Sequence, residues 1–222
     1  MNIPPEQSTQ PATSAANLAW KDPAQPVELR VAQLLAAMTL PEKIGQLWQI
    51  PGFQPNREEL VASGAVGSLL NVTPAEMQAL QRLAVEETRL GIPLLFGRDV
   101  IHGFHTMFPI PLGQAATFDA TLVETGARVA AAEAAATGIH WTFAPMVDIS
   151  RDPRWGRIAE SLGEDPLVAS SLGAAMVRGF QGSAGGTPGT LAACAKHFIG
   201  YGAAEGGRDY NTTLIPDSEL HN

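Results

Sequence analysis

The sequence is poor in cysteine, in positive charge and in long apolar runs. Its 222 residues include one cysteine, Cys194, so a disulfide framework or a multi-cysteine metal site is excluded within the chain. The formal net charge of −8 leaves no basic stripe to neutralise phosphates, which argues against a nucleic acid partner. No apolar run approaches the ~20 residues of a membrane-spanning helix, so no membrane partner is expected.

The N-terminal segment also lacks the features of a secretory signal. It is rich in Pro, Ser and Ala, with neither a basic start nor an apolar core. We predict a disordered leader over 1–25 and one domain over 26–222. On the sequence as written, the expected location is the cytoplasm. A periplasmic location is the alternative if the N-terminus is incomplete.

Helical and strand patterns alternate along the domain. Helices are predicted over 26–38, from Pro41, and over 74–90, 119–137 and 166–180. Strands are predicted over 46–50, 65–70, 92–99, 139–149 and 191–199. Thr39 with Glu42 forms a capping-box pattern ahead of the second helix, and Thr73 is placed to cap the third.

Near-continuous apolar strands separated by helices are typical of a parallel sheet covered by helices. A closed (β/α)8 barrel needs eight strands and typically about 250 residues, whereas this sequence offers about five strands. The expected fold is therefore α/β: an incomplete TIM-like barrel with about five of its eight strands present.

Charged residues gather where the predicted strands end. Asp99 closes one strand, 144–157 leads from another into a cluster of Asp and Arg around one Trp, and Lys196 and His197 close the last. Barrel enzymes build their sites at these carboxyl ends. Carboxylate, ammonium, imidazole and guanidinium groups beside an aromatic ring suit the hydroxyls and the apolar face of a sugar, so a carbohydrate is the expected ligand.

Several of these residues have a structural alternative. Asp99 is either a sugar ligand, the ion-pair partner of Arg98 or a helix cap, and Trp155 is either a stacking platform or a packing residue. One of Arg154 and Arg157 is expected to contact substrate.

Two further motifs have competing interpretations. His102 and His105 have the H-x-x-H spacing of zinc ligands but no third ligand at a recognisable spacing, so bonding to the backbone is favoured. In the glycine-rich stretch 200–207, Glu205 replaces the third glycine of a dinucleotide fingerprint. A flexible, site-lining loop that carries Glu205 and Arg208 is the favoured interpretation.

In order and spacing, these motifs resemble the N-terminal domain of glycoside hydrolase family 3 β-glucosidases, especially the bacterial periplasmic type. The matching segments are 97–103, 108–113, 144–157, 163–165, 195–198 and 201–212, and the similarity runs from about residue 26 to the end of the chain.

The resemblance implies a (β/α)8 barrel followed by an α/β sandwich domain, with hydrolysis of terminal β-D-glucosyl residues and retention of configuration. It implies that Asp99, Arg157, Lys196, His197 and Arg208 grip the non-reducing sugar. A β-glucoside or oligosaccharide is the expected substrate, and neither a cofactor nor a metal is required.

Retention requires a nucleophilic carboxylate and a general acid/base. In the family the nucleophilic Asp follows a later barrel strand and the acid/base Glu lies in the second domain, so both are expected beyond Asn222. No catalytic residue is assigned here, and the chain alone is expected to be inactive. One alternative is an inert, truncated sugar-binding remnant. Another is a phosphate-binding aldolase or isomerase, which would need a Gly-rich phosphate loop late in the barrel.

Overall fold

A parallel sheet forms the framework of the molecule. The computed structural model describes residues 19–183 and 185–221. Its regular strands are β1 (Gln49–Pro51), β2 (Ser68–Leu70), β3 (Leu95–Arg98) and β4 (Trp141–Thr142). They pair in chain order, β1-β2-β3-β4, and every pair is parallel. The predicted α/β class and parallel sheet are confirmed.

The last predicted strand lies beside β4 as a fifth extended segment. The Ala192 N–H donates to the His140 carbonyl, and the Thr142 N–H donates to the Ala192 carbonyl, both at 2.9 Å. A second parallel bridge joins Met146 to Lys196. This arrangement agrees with the prediction of about five strands of an incomplete (β/α)8 barrel.

Helices cover the sheet and separate its strands. They are α1 (Val27–Ala37), α2 (Leu40–Gln46), α3 (Arg57–Ala62), α4 (Pro74–Arg82), α5 (Pro111–Ala115), α6 (Ala120–Ala135), α7 (Pro166–Gln181) and α8 (Asp217–Leu220). The predicted capping box of Thr39 and Glu42 is present at α2, and Thr73 caps α4 in the same way. Asp119 and Asp165 accept backbone N–H groups at the starts of α6 and α7.

The strands predicted over 65–70, 92–99 and 139–149 are all shorter in the structure, and two of them have an identifiable reason in their backbone hydrogen bonds. The strand predicted over 92–99 is regular only in β3, since the side chain of Gln81 accepts from the Leu94 N–H at 2.7 Å. The strand predicted over 139–149 is regular only in β4. Pro145 follows soon after and has no N–H to donate to a ladder.

The helix predicted over 74–90 and the strand predicted over 46–50 also differ from the structure. After α4 the chain continues as a π-helical turn, Leu83–Glu87. The Thr88 hydroxyl then donates a hydrogen bond to the Ala84 carbonyl oxygen. The first strand begins later than predicted because residue 46 still belongs to α2.

Most of the predicted leader, residues 1–18, lies outside the described residues. The part that is described begins with a short 3-10 helix, Ala19–Lys21, in which Trp20 is buried. Arg30 of α1 donates to the Trp20 carbonyl at 2.8 Å, so this part of the segment packs against α1. Within the described ranges, no helix is both long and apolar enough to cross a membrane.

The helix pair α6 and α7 packs so closely that one glycine is required at the contact. A Cβ added to Gly179 would lie 2.4 Å from the Glu124 carbonyl oxygen and 2.6 Å from the Ala127 Cβ. A Cβ at Gly126 would meet only the Phe108 ring, at 3.8 Å. The same substitution at these two helical positions therefore has opposite consequences.

We expect Gly179→Ala to lower the free energy of unfolding by about 1–3 kcal/mol, because the new methyl group overpacks a rigid backbone contact. Gly126→Ala is the matched control. It should raise stability by up to about 1 kcal/mol through helix propensity alone. Urea denaturation followed by far-UV circular dichroism checks both, and equal effects at the two positions would contradict the close packing.

We expect the free energy of unfolding to depend on pH through His140. Its Nδ1 accepts the Phe96 backbone N–H at 3.1 Å, and partial burial lowers the pKa of the ring below the ordinary value of 6.5. As the pH falls below about 6.5, the unfolded chain binds the proton before the folded one, so the free energy of unfolding decreases. The stabilisation is fully present above that pH.

His140→Asn should remove this part of the pH dependence, because the amide oxygen can accept the Phe96 N–H without titrating. Thermal denaturation between pH 5 and 8, compared between the native chain and the variant, measures the difference. Identical pH profiles for the two would contradict the role of His140.

Candidate functional site

The predicted site residues come from separate elements that end at one edge of the sheet. Asp99 follows β3 directly, and Lys196 and His197 end the fifth segment. Arg157 lies in the long connection between β4 and α7. Because all these strands run parallel, their carboxyl ends meet at the same edge.

Asp99 and Lys196 lie opposite each other. Lys196 Nζ is 3.5 Å from Asp99 Oδ1, and the same ammonium lies 5.9 Å from the centre of the Phe143 ring. The lysine side chain is 15% exposed and the aspartate side chain 49%. The ion pair is loose. Its acceptor, the Asp99 carboxylate, is open to solvent, and its donor, the Lys196 ammonium, is on a mostly buried side chain.

Arg157 is held by a bidentate pair with Glu160. Its Nε and Nη2 donate to the two carboxylate oxygens at 2.6 and 2.9 Å, and Nη2 also lies 3.3 Å from the Met146 sulfur. These hydrogen bonds raise the pKa of Arg157 and lower that of Glu160. The guanidinium is thus fixed in direction by the Glu160 carboxylate.

Arg154 differs from Arg157 in its surroundings. Its side chain is 74% exposed and pairs with Asp152, and its hydrogen bonds lower the pKa of that carboxyl to about 2. Of the two arginines, Arg157 contacts Met146, whose backbone pairs with Lys196.

His197 is bound to a carboxylate that the sequence did not single out. Asp148 Oδ2 lies 2.9 Å from His197 Nδ1 and 3.2 Å from the His197 backbone nitrogen. The aspartate side chain is 1% exposed and the histidine side chain 32%. A buried carboxylate therefore holds a partly accessible imidazole.

Tyr201 lies among the aromatic and cationic groups of the site. Its ring meets the His197 ring edge-on at 4.8 Å, and the Arg157 guanidinium lies 5.5 Å from its centre. Burial raises the pKa of Tyr201 to about 12. The tyrosine thus joins the loop after the fifth segment to both site residues.

Trp155 is not available as a sugar platform. It is 1% exposed, its Nε1 donates to Asp209 Oδ1 at 2.9 Å, and its ring meets Tyr201 edge-on at 5.3 Å. The stacking interpretation is therefore wrong, and the packing alternative describes this residue.

Arg208 is exposed and lies on the loop that follows the fifth segment. No hydrogen bond or ion pair of its side chain occurs within the part of the chain that the structure describes. Its loop is packed: a Cβ on Gly202 would lie 2.6 Å from the Ile149 carbonyl oxygen, and one on Gly207 would lie 2.8 Å from the Trp155 nitrogen. The loop lies against the segment that leads to Arg157.

The two histidines of the H-x-x-H motif differ in their contacts. His102 Nδ1 is 3.0 Å from the Phe108 carbonyl oxygen, as the backbone alternative predicts. At His105 it is the main-chain N–H that is bound, and it donates to the Glu133 carboxylate. Among the described residues, no three His, Cys, Asp or Glu side chains are placed to hold a metal ion.

The sequence reasoning missed Asp148, Glu160 and Tyr201. Asp148 was detectable in part, because it ends one predicted strand and His197 ends the next, so parallel pairing brings them to one edge. The i, i+3 spacing of Arg157 and Glu160 was a second available signal. Nothing in the local pattern around Tyr201 indicates its central place.

Together these groups offer both kinds of hydrogen bond to a polyhydroxylated ligand. Asp99 can only accept, whereas Lys196 and Arg157 can only donate. The cluster also contains three carboxyl groups, on Asp99, Asp148 and Glu160, beside the basic side chains of Lys196 and Arg157.

The sequence model of the family described as "Glycosyl hydrolase family 3 N terminal domain" matches residues 39–222. The chain is 43% identical to the periplasmic beta-glucosidase of Salmonella typhimurium over 221 residues, which cover 96% of the chain and 29% of that protein. It is 34% identical to the lysosomal beta glucosidase of Dictyostelium discoideum, covering 86% of the chain and 28% of that protein.

A solved structure is also similar, that of a beta-glucosidase from Listeria innocua in complex with isofagomine. The TM-score is 0.82 at 44% identity, over 89% of this chain and 29% of that one. The chain thus spans less than a third of the length of each of these relatives.

Proposed function

Because this chain belongs to glycosyl hydrolase family 3 through its N-terminal domain, we propose that it supplies the sugar-binding part of a retaining β-glucosidase barrel. The observation that carries the proposal is the meeting of Asp99 with Lys196 at the carboxyl edge of the sheet, beside His197. The beta-glucosidase names of relatives at 34–43% identity support the substrate class.

Each site residue has a distinct role in this proposal. Asp99 accepts hydrogen bonds from sugar hydroxyls, and Lys196 donates to them from a partly buried position. Arg157 donates through the part of its guanidinium that Glu160 leaves free. His197 binds a further hydroxyl, and Arg208 reaches the same sugar from the loop that packs beside Trp155.

The catalytic carboxylates belong to other parts of the longer protein in this proposal. An aspartate nucleophile attacks the anomeric carbon, and a glutamate first protonates the leaving group and then activates water. The transition state resembles an oxocarbenium ion, and the hydrogen bonds from this chain's side chains to the sugar hydroxyls hold the ring in place as that charge develops. This chain therefore binds a glucoside without hydrolysing it.

The proposal extends to location. The Salmonella relative is named a periplasmic protein, which supports the periplasmic alternative for the longer protein.

One titration tests both parts of the proposed function. Methyl β-D-glucopyranoside is added to the purified chain, and binding is followed by saturation-transfer NMR with myo-inositol as the control ligand. The anomeric proton signal of the glucoside is followed over days. We expect the chain to bind methyl β-D-glucopyranoside but not myo-inositol, and we expect no hydrolysis of the glucoside. Hydrolysis would contradict the placement of the catalytic groups, and the absence of binding would contradict the sugar site.

A further inference from the structure

We propose that Asp148 is the positioning residue for His197, keeping the imidazole proton on Nδ1 so that Nε2 is the ring nitrogen that meets a sugar hydroxyl. The contact is seen in two hydrogen bonds, from His197 Nδ1 at 2.9 Å and from the His197 backbone nitrogen at 3.2 Å, both to Asp148 Oδ2. The consequence for sugar binding rests on the proposed function, whereas the contact itself does not.

The chemistry of the two groups determines which atom carries the proton. An ionised carboxylate only accepts hydrogen bonds, so His197 Nδ1 must donate. In a neutral imidazole with its proton on Nδ1, Nε2 carries a lone pair and accepts. Because the same oxygen also binds the His197 backbone N–H, it fixes both the ring and the chain that holds it.

The surroundings of Asp148 indicate that its partner is His197 and not a wider ion network. The aspartate side chain is 1% exposed, and His197 is its one ion-pair partner among the described residues. Its second oxygen, Oδ1, is buried and accepts no hydrogen bond within the described ranges. Burying a carboxylate with so few partners lowers the free energy of unfolding. The contacts that this carboxylate does make are the two hydrogen bonds that hold His197.

The packing around Asp148 holds the carboxylate in place. Gly202 lies so close that an added Cβ would be 3.2 Å from the Asp148 Cβ and 2.6 Å from the Ile149 carbonyl oxygen. Tyr201, the neighbour of Gly202 in the chain, meets the His197 ring edge-on at 4.8 Å. The pair is therefore confined between the loop after the fifth segment and the end of the 139–149 segment.

With its proton fixed on Nδ1, His197 offers the ligand a hydrogen-bond acceptor at Nε2, which the partly buried Lys196 and Arg157 cannot offer. Lys196 and Arg157 can only donate, and Asp99 accepts from an open position. A sugar hydroxyl both donates and accepts. His197 with Nδ1 protonated therefore gives the ligand a second acceptor, held rigidly beside the lysine.

The test reads the tautomer directly by long-range ¹⁵N–¹H NMR of the imidazoles, at about pH 8.5 where an ordinary histidine is neutral. His197→Gln identifies the signals. We expect a protonated Nδ1 and a lone-pair Nε2 on His197 in the native chain. In Asp148→Asn the side chain can also donate, so the two tautomers should mix. Asp152→Asn alters a carboxylate four residues away that is 20% exposed and pairs with Arg154 instead of His197, so it should leave the tautomer unchanged.

Sugar binding gives the second readout. Asp148→Asn should weaken methyl β-D-glucoside binding about tenfold, the loss of one well-placed hydrogen bond, while Asp152→Asn leaves binding unchanged. A native His197 that is protonated on Nε2, or on both nitrogens, overturns the inference. So does an Asp148→Asn variant with native tautomer and native binding.

Two outcomes keep this inference separate from the proposed function. If Asp148→Asn does not fold, the native spectrum decides the tautomer by itself. If the native chain binds no glucoside but His197 carries its proton on Nδ1, the proposed function fails and the positioning of His197 by Asp148 stands.

Discussion

Lys196→Met should weaken methyl β-D-glucoside binding by about 10- to 100-fold, the range expected when a hydrogen bond from a charged donor is lost. Lys196 is 15% exposed, and its Nζ lies 3.5 Å from Asp99 Oδ1. Methionine keeps much of the side-chain length and its packing on Phe143 while removing the charge. Isothermal titration or NMR titration of the purified chain measures the change.

The matched control is Lys43→Met, which removes an exposed lysine from α2, far along the chain from the site. It should leave glucoside binding unchanged. Near-UV circular dichroism verifies that both variants keep their packing. Equal binding by Lys196→Met and the native chain would show that the Asp99–Lys196 pair serves structure alone.

Trp155→Ala should lower the free energy of unfolding by about 3–5 kcal/mol, the cost of removing a large buried side chain. The ring is 1% exposed, packs edge-on against Tyr201 and donates to Asp209 at 2.9 Å. Trp155→Phe keeps most of the apolar surface and loses the hydrogen bond, so about 1–2 kcal/mol is expected. Denaturant unfolding measures both.

Trp48→Ala is the control for the loss of a tryptophan, because that ring is 47% exposed and its removal should cost less than about 1 kcal/mol. Trp155→Phe, tested while folded, should also bind methyl β-D-glucoside as the native chain does. A large loss of glucoside binding without a loss of stability would contradict the packing role and would indicate that the Trp155 ring stacks on the sugar.

The fold was predictable from sequence to the extent that local patterns decide it. Capping residues such as Thr39 and Thr73 marked helix starts, and apolar runs separated by helices indicated a parallel sheet. Strand lengths were not predictable, because they depend on which groups compete for the backbone. Gln81 takes the Leu94 N–H, and Pro145 cannot donate at all, and neither effect appears in an apolar pattern.

The site was predictable as a set of strand ends and not as a set of contacts. Asp99, Lys196 and His197 follow from the rule that parallel strands end at one edge. The partner Asp148 depends on side-chain directions across elements far apart in sequence, whereas Glu160 lies only three residues from Arg157. Trp155 shows the limit most clearly, because burial is a tertiary property and the residue type alone fits either role.

A ¹H–¹⁵N NMR titration of the labelled chain with methyl β-D-glucopyranoside shows directly where the sugar binds. We expect the shifted amide signals to cluster at the carboxyl edge of the sheet and its loop, that is, at residues 98–99, 146–148, 157 and 196–202. Shifts that cluster on another face, or no shifts at all, would contradict the claim that these side chains form a sugar site.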